Sequence, residues 1–165
     1  LRNSSGDEPL FGRGWFRAGK QVTDRFRLQT AMFLALGRDE DDLTRVRVGG
    51  LNPYVVSLAG MPWASHLPQN FGSVQLSTHV RITGEHEVGL LLDHVQMSQA
   101  DARRADYTVE TDGLGAGLQG VGLFGDFRWG KGWQVHTRAG YPLPSEYLAE
   151  SPHIDVWVSA GKQIF

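Results

Sequence analysis

The sequence predicts an all-β fold: an antiparallel transmembrane β-barrel with about seven or eight strands present. Three observations predict it. Apolar and polar residues alternate with a period of two along most of the chain. The connections between these runs are short and long by turns. The runs span roughly 10–14 residues, beyond the usual ~5–6 of a globular sheet and close to the ~9–11 tilted residues that cross a bilayer.

The runs follow in order. Residues 14–22 form a less regular first strand. Residues 25–37 place Phe26, Leu28, Met32, Leu34 and Leu36 on one face against Arg25, Arg27 and Gln29. Residues 73–83 set Val74, Leu76, Val80 and Ile82 against Ser73, Gln75, Ser77, His79 and Arg81. Thr83-Gly84-Glu85 reads as a tight turn, and 87–95 then aligns Val88, Leu90 and Leu92. Residues 108–123 form a Gly-rich strand, with Leu114, Ala116 and Leu118 opposite Gly115, Gly117 and Gln119. Residues 133–141 set Trp133, Val135, Ala139 and Tyr141 against Gln134, His136 and Arg138. The last run sets Ile154, Val156, Val158 and Ala160 against Asp155, Trp157 and Ser159. A strand-like piece at 44–49, inside the long connection 38–70, is the candidate eighth strand. No stretch reads as a helix, and there is no internal repeat.

Composition narrows the function classes. The 165 residues suffice for one domain or part of one, read as a single unit over 1–165. With no cysteine, a disulfide scaffold, a cysteine zinc site and a thiol nucleophile are excluded. Sixteen basic against eighteen acidic residues leave a net charge of -2 and no nucleic-acid footprint. No apolar run approaches the ~20 residues of a membrane helix, a test that barrel strands do not face. Leu1 opens into a polar stretch without a leader, the expected start of a mature chain or a fragment.

Short connections fall at 23–24, 83–85 and 130–132, and longer ones at 38–70, 99–106 and 142–152, the sorting that outer-membrane barrels use. Aromatics cluster toward the predicted strand ends, at Trp15, Phe16, Phe124, Phe127, Trp129, Trp133, Tyr141, Tyr147 and Phe165, as interfacial girdles would require. The polar faces carry more bases than acids. Arg25, Arg27, His79, Arg81, Asp93, His136, Arg138 and Asp155 are the lumen-lining candidates, with Asp93 and Asp155 as partners for the bases.

Other chemistry is thinner. The six histidines show no ligand spacing, so no metal and no cofactor is expected. Ser77 and His79 share a face with Asp93 or Asp155, which sketches a nucleophile–base–acid set; no Gly-x-Ser-x-Gly elbow occurs, and no catalytic residue is assigned. The glycines of 113–117 lack the helix of a dinucleotide site and read as room for close strand packing. The acidic run at 39–42 reads as a solvated loop, and Arg103-Arg104 as a pair in another outer loop, with contact to lipopolysaccharide phosphates as the minor reading. Residues 51–67 are unusually apolar for a connection, so this loop is expected to fold inward, and it is the segment expected to carry function.

Four stretches together resemble the last strands of the BamA/TamA-like surface-antigen barrels. Val46-Arg47-Val48-Gly49-Gly50 is similar to the segment that opens that family's long sixth loop. Residues 86–98 resemble a hairpin arm with Asp93 near its middle. The Gly-x-Gly strand at 113–118 and its partner at 133–142 resemble the next pair. Residues 154–165 resemble the terminal strand that the assembly machinery reads, with Trp157, Gly161 and Phe165 as its signal.

The resemblance implies the C-terminal half of a sixteen-stranded barrel. It also implies protein insertion or translocation at the bacterial outer membrane, with no enzymatic activity. The implied partners are outer-membrane lipid and lipopolysaccharide, periplasmic or outer-membrane assembly proteins, and client polypeptides. Gly49, Gly50, Asn52, Tyr54 and Trp63 would belong to the sixth loop, which plugs the lumen in that family. The family's loop arginine has no counterpart between Leu51 and Pro68, so the fold carries over further than the assembly activity. A barrel that anchors or secretes an N-terminal passenger, and a small structural barrel, are the alternatives. A soluble lipocalin-like carrier is a third; it requires Leu28, Leu76, Leu90, Val135 and Val156 to face a closed core.

Overall fold

The computed structural model describes residues 10–38, 48–49, 58–60, 68, 70–97, 116–145 and 153–162. These form one seven-stranded antiparallel sheet in which each strand pairs only with its sequence neighbours. The strands are β1 (Leu10–Thr23), β2 (Phe26–Arg38), β3 (Phe71–Arg81), β4 (Glu87–Met97), β5 (Ala116–Trp129), β6 (Trp133–Pro142) and β7 (Asp155–Lys162). The sheet is not closed: β1 and β7 each have one hydrogen-bonded neighbour among the described residues. Val48 and Leu58 form isolated bridges, and the rest of the strand-like piece at 44–49 lies outside the described residues.

The turns explain themselves locally. Thr23 Oγ1 accepts the backbone N–H groups of Arg25 and Phe26 at 3.3 and 3.1 Å, which reverses the chain within Asp24 and Arg25. Between β3 and β4, Gly84 adopts φ +54, and the His86 N–H donates to the Thr83 carbonyl at 2.9 Å. A single 3₁₀ turn, Gly130–Gly132, joins β5 to β6. Because successive strands run in opposite directions, these three short turns share one end of the sheet. The long connections leave from the other end.

Strand β5 begins at Ala116 among the described residues and continues to Trp129, six residues past its expected end. Gly125 and Asp126 resemble turn chemistry in sequence. They are held in the sheet by register, opposite Thr137 and His136.

The two faces differ through the middle of the sheet, with Lys20, His94, Gln96 and Gln119 joining the apolar side toward its ends. One carries Phe16, Leu28, Leu34, Leu76, Leu90, Leu123, Val156 and Val158, all exposed. Leu90 and Leu123, direct cross-strand partners, are 56% and 59% accessible, and Val156 is 64% accessible. The other face carries Arg27, Gln75, Ser77, His79, Asp93, Asp126, His136 and Arg138, with glycines between them. The buried side chains lie on this polar face, where Leu91, Phe124 and Ala59 form a cluster against Trp157. Toward the long-connection end, Phe71, Val95, Met97 and Leu118 are buried on the same face.

The aromatics divide by face. Phe127, Trp129 and Trp133 are on the apolar face beside the β5–β6 turn. There Phe127 stacks on Trp129 at 6.1 Å, and Lys162 Nζ stands 5.8 Å from the Trp133 ring. Trp15 departs from the girdle expectation. It sits within β1 on the polar-face phase, opposite Phe33, because period two from Arg17 fixes its side. Phe124 also faces inward. Tyr147 and Phe165 lie outside the described residues.

Candidate functional site

The long β2–β3 connection returns to the polar face at Leu58–Gly60, all three residues being buried. Asp93 on β4 fixes it there. Its Oδ2 accepts the Ala59 N–H at 2.9 Å, and its Oδ1 accepts Gln75 Nε2 at 2.7 Å. Asp93 is only 1% accessible, and a carboxylate that deeply placed requires such donors.

Sheet glycines make the seat. Gly120 is opposite Asp93, and the Ala59 carbonyl occupies the space a Gly120 side chain would need. A side chain on Gly140 would come within 2.6 Å of the Gly60 nitrogen and 2.9 Å of Ala59 Cβ. Gly122, paired with Gly140, leaves Ala59 Cβ at 3.5 Å from where its own would stand. Gly60 takes φ +78 and lies against Pro142.

A second polar cluster lies nearer the short-turn end. Arg27 Nη2 is 3.2 Å from Glu87 Oε2 and 3.1 Å from His79 Nδ1. His79 Nδ1 is 3.4 Å from Glu87 Oε2, and its Nε2 is 3.0 Å from Ser77 Oγ. The His79 ring meets Phe124 edge to face at 4.8 Å, while Phe124 lies over Gly89 in the space a side chain there would fill. Alongside, Asp126 accepts from or pairs with His136 at 2.7 Å, and Asp126 is directly opposite Glu87. Among the described residues, no three His, Asp or Glu side chains converge as a metal site.

Six of the eight candidates from the sequence share the polar side of the sheet. Arg27, His79, Asp93, His136, Arg138 and Asp155 are on polar-face positions of their strands, with Arg138 between Phe124 and Trp157 and Asp155 opposite Gly140. Arg25 lies in the first turn and Arg81 at the end of β3, both exposed. The acid beside His79 is Glu87. Asp93 is engaged by Ala59 and Gln75, and Asp155 lies across β6 on β7. Glu87, Asp126 and the glycines at 89, 120 and 140 are not singled out by the sequence, and Phe124, there read as a girdle aromatic, instead packs against His79. Their polar-face parity was the available signal, but cross-strand register is needed to bring them together.

Of the loop candidates, Gly49 is buried with φ +115; Gly50, Asn52, Tyr54 and Trp63 lie outside the described residues. Trp157 packs on the Leu91–Phe124 cluster, and Gly161 is exposed. Phe165, the acidic run at 39–42 and Arg103-Arg104 are outside the described residues.

Fold and site together define an all-β chain: a seven-stranded antiparallel meander with one apolar and one polar face, the polar face holding a returning loop. No protein-family model, curated protein or solved structure matches it.

Proposed function

We propose that this chain forms part of the wall of an integral bacterial outer-membrane β-barrel of the BamA-like class, acting in protein insertion or translocation. The observation that carries the reading is the opposition of the two faces. Leu90, Leu123 and Val156 project from one side without cover, while the other side is polar, glycine-lined and occupied by Leu58–Gly60. Exposed leucines, valines and aromatics stand on successive strands of this face, and contiguous apolar patches of that kind are uncommon in water, whereas lipid accepts them. On this reading the β1 and β7 edges, each without a second partner among the described residues, call for further strands, because open backbone has no partner in hydrocarbon. The sheet is therefore read as a segment of a larger closed barrel.

On this reading Arg27, His79, Arg138 and their neighbours line the lumen. The β2–β3 loop enters that lumen and is held on Asp93. The β7 edge forms one side of a seam at which an incoming strand is templated by backbone hydrogen bonds. A barrel serving as anchor or secretion pore is the second reading. It is favoured by the loop's own sequence, which has no arginine between Leu51 and Pro68 where the resembling family carries one. The carrier reading fares worse: Leu28, Leu76, Leu90 and Val156 are exposed rather than turned toward a core.

The test has two stages. Outer-membrane fractionation and a detergent gel come first: a compact band that shifts on boiling is expected, and a detergent-free soluble monomer without a shift overturns the membrane reading. Val158→Cys then gives a single thiol beside the β7 edge, since the chain has no cysteine of its own. Disulfide trapping of a strand cysteine from a nascent barrel client supports insertion. A folded barrel that traps none supports the anchor or pore.

A further inference from the structure

The geometry points to a serine acyl-transfer site on the polar face, built from Ser77, His79 and Glu87. The inference goes beyond the membrane reading and stands on these side chains alone. Ser77 and His79 are two apart on β3, so both project to the same side. Ser77 Oγ is 3.0 Å from His79 Nε2, and His79 Nδ1 is 3.4 Å from Glu87 Oε2 on the adjacent strand. The order nucleophile–Nε2–Nδ1–carboxylate is the one that general-base activation of a hydroxyl requires.

The surroundings supply the remaining parts. Arg27 Nη2 holds Glu87 Oε2 at 3.2 Å, which fixes the acid beside the imidazole. Arg27 Nε is buried and without a hydrogen-bond partner among the described residues, a donor in reserve next to the site. Gln29 is directly opposite Ser77 on the same face, so its amide is within cross-strand reach. These two donors are the candidates for a developing oxyanion. Leu91, opposite Ser77 on the other side, and Phe124 offer an apolar wall. A charged recess of about 470 Å³ lined by Arg27, Glu87 and Arg128 opens beside the acid end. Together they suit a carboxylic ester with an apolar acyl group.

Arg27 Nη2 also stands 3.1 Å from His79 Nδ1 and can only donate there, which in the resting arrangement places the imidazole proton on Nε2. The productive tautomer therefore requires Arg27 to turn wholly onto Glu87, so that Nδ1–H donates to Glu87 and Nε2 is free to accept. Nε2 takes the Ser77 proton as Oγ bonds to the acyl carbon. The imidazolium returns that proton to the departing alkoxide, leaving an alcohol and an acyl-serine. Water then adds to the acyl carbon, giving its proton to Nε2. Ser77 leaves with that proton, and the carboxylic acid is released.

The test uses the full chain, folded in detergent, with a fluorophosphonate probe and peptide mass mapping. The expected result is one adduct at Ser77, absent in Ser77→Ala. His79→Gln should slow labelling by about a hundredfold or more, and Glu87→Gln by less. Hydrolysis of a p-nitrophenyl acyl ester should fall in parallel. Unchanged circular dichroism in the variants separates lost chemistry from lost folding. No adduct at Ser77 in folded protein overturns the assignment. So does a labelling rate that His79→Gln leaves unchanged in a folded variant, since a merely structural Ser–His contact predicts that outcome.

Discussion

The Ala59 backbone N–H donates to Asp93 Oδ2 at 2.9 Å, which ties the returning β2–β3 loop to the middle of β4. The bond joins residues 34 apart in sequence and lies on a fully buried carboxylate, so its loss leaves a donor without a partner. Asp93→Ala should lower stability by about 1–3 kcal/mol and release Leu58–Gly60 from the sheet. Limited proteolysis checks this: cleavage near Ala59 should appear in the variant and be absent in the parent. Asp93→Asn keeps an acceptor and should be milder.

The seat is a matter of volume as well as charge. Gly120→Ala sets a methyl group against the Ala59 carbonyl, and Gly140→Ala sets one against the Gly60 nitrogen. Each should cost about 1–3 kcal/mol by overpacking. Gly14→Ala, with open space around it, should stay within about 0.5 kcal/mol. Equal denaturation midpoints for all three variants would mean that the loop does not rest in this trough.

The apolar face gives a sharp contrast between solvents. Leu90→Arg or Leu123→Arg should destabilise the membrane form by about 2–4 kcal/mol if these positions face the bilayer centre. Gln29→Arg, on the polar face, should cost much less. Folding yield into lipid vesicles over a urea series measures the difference. If both leucine variants fold as well as the parent and gain solubility without detergent, the apolar face meets water.

Phe124 and Gly89 should behave as a pair. Gly89→Ala collides with the Phe124 ring and also with the Thr78 carbonyl across the strand. Phe124→Leu relieves the first collision and leaves the second. A double-mutant cycle should therefore show coupling within the usual 0.5–3 kcal/mol, with rescue only in part. Strict additivity would mean that the ring is not held over the glycine.

Period two made the strands and their faces legible in sequence. Val74, Leu76 and Val80 could not share a side with Gln75, Ser77 and His79 in any straight strand. The short turns were legible too, because Gly84 supplies the positive φ that the β3–β4 reversal uses. Parity within one strand is silent about which residue of the next strand stands opposite. That depends on register, which the turn sets by pairing Arg81 with Glu87. Hence Asp93 and Asp155 drew attention as acids for His79, while Glu87 was the neighbour. The glycine seat was hidden for the same reason. Gly120, Gly122 and Gly140 come from two strands, and they become one trough only after β5 and β6 are aligned and Ala59 returns from the long loop.

The segregation of short turns and long connections to opposite ends also sets the grain at which such a sheet can lengthen or shrink. Removing β3, its turn and β4 would bring β2 beside β5 with strand directions and faces still matched. Removing a single strand would reverse every direction beyond the cut and carry the tight turns to the opposite end. The hairpin, rather than the strand, is thus the smallest piece that can be duplicated, deleted or exchanged without turning the remainder upside down.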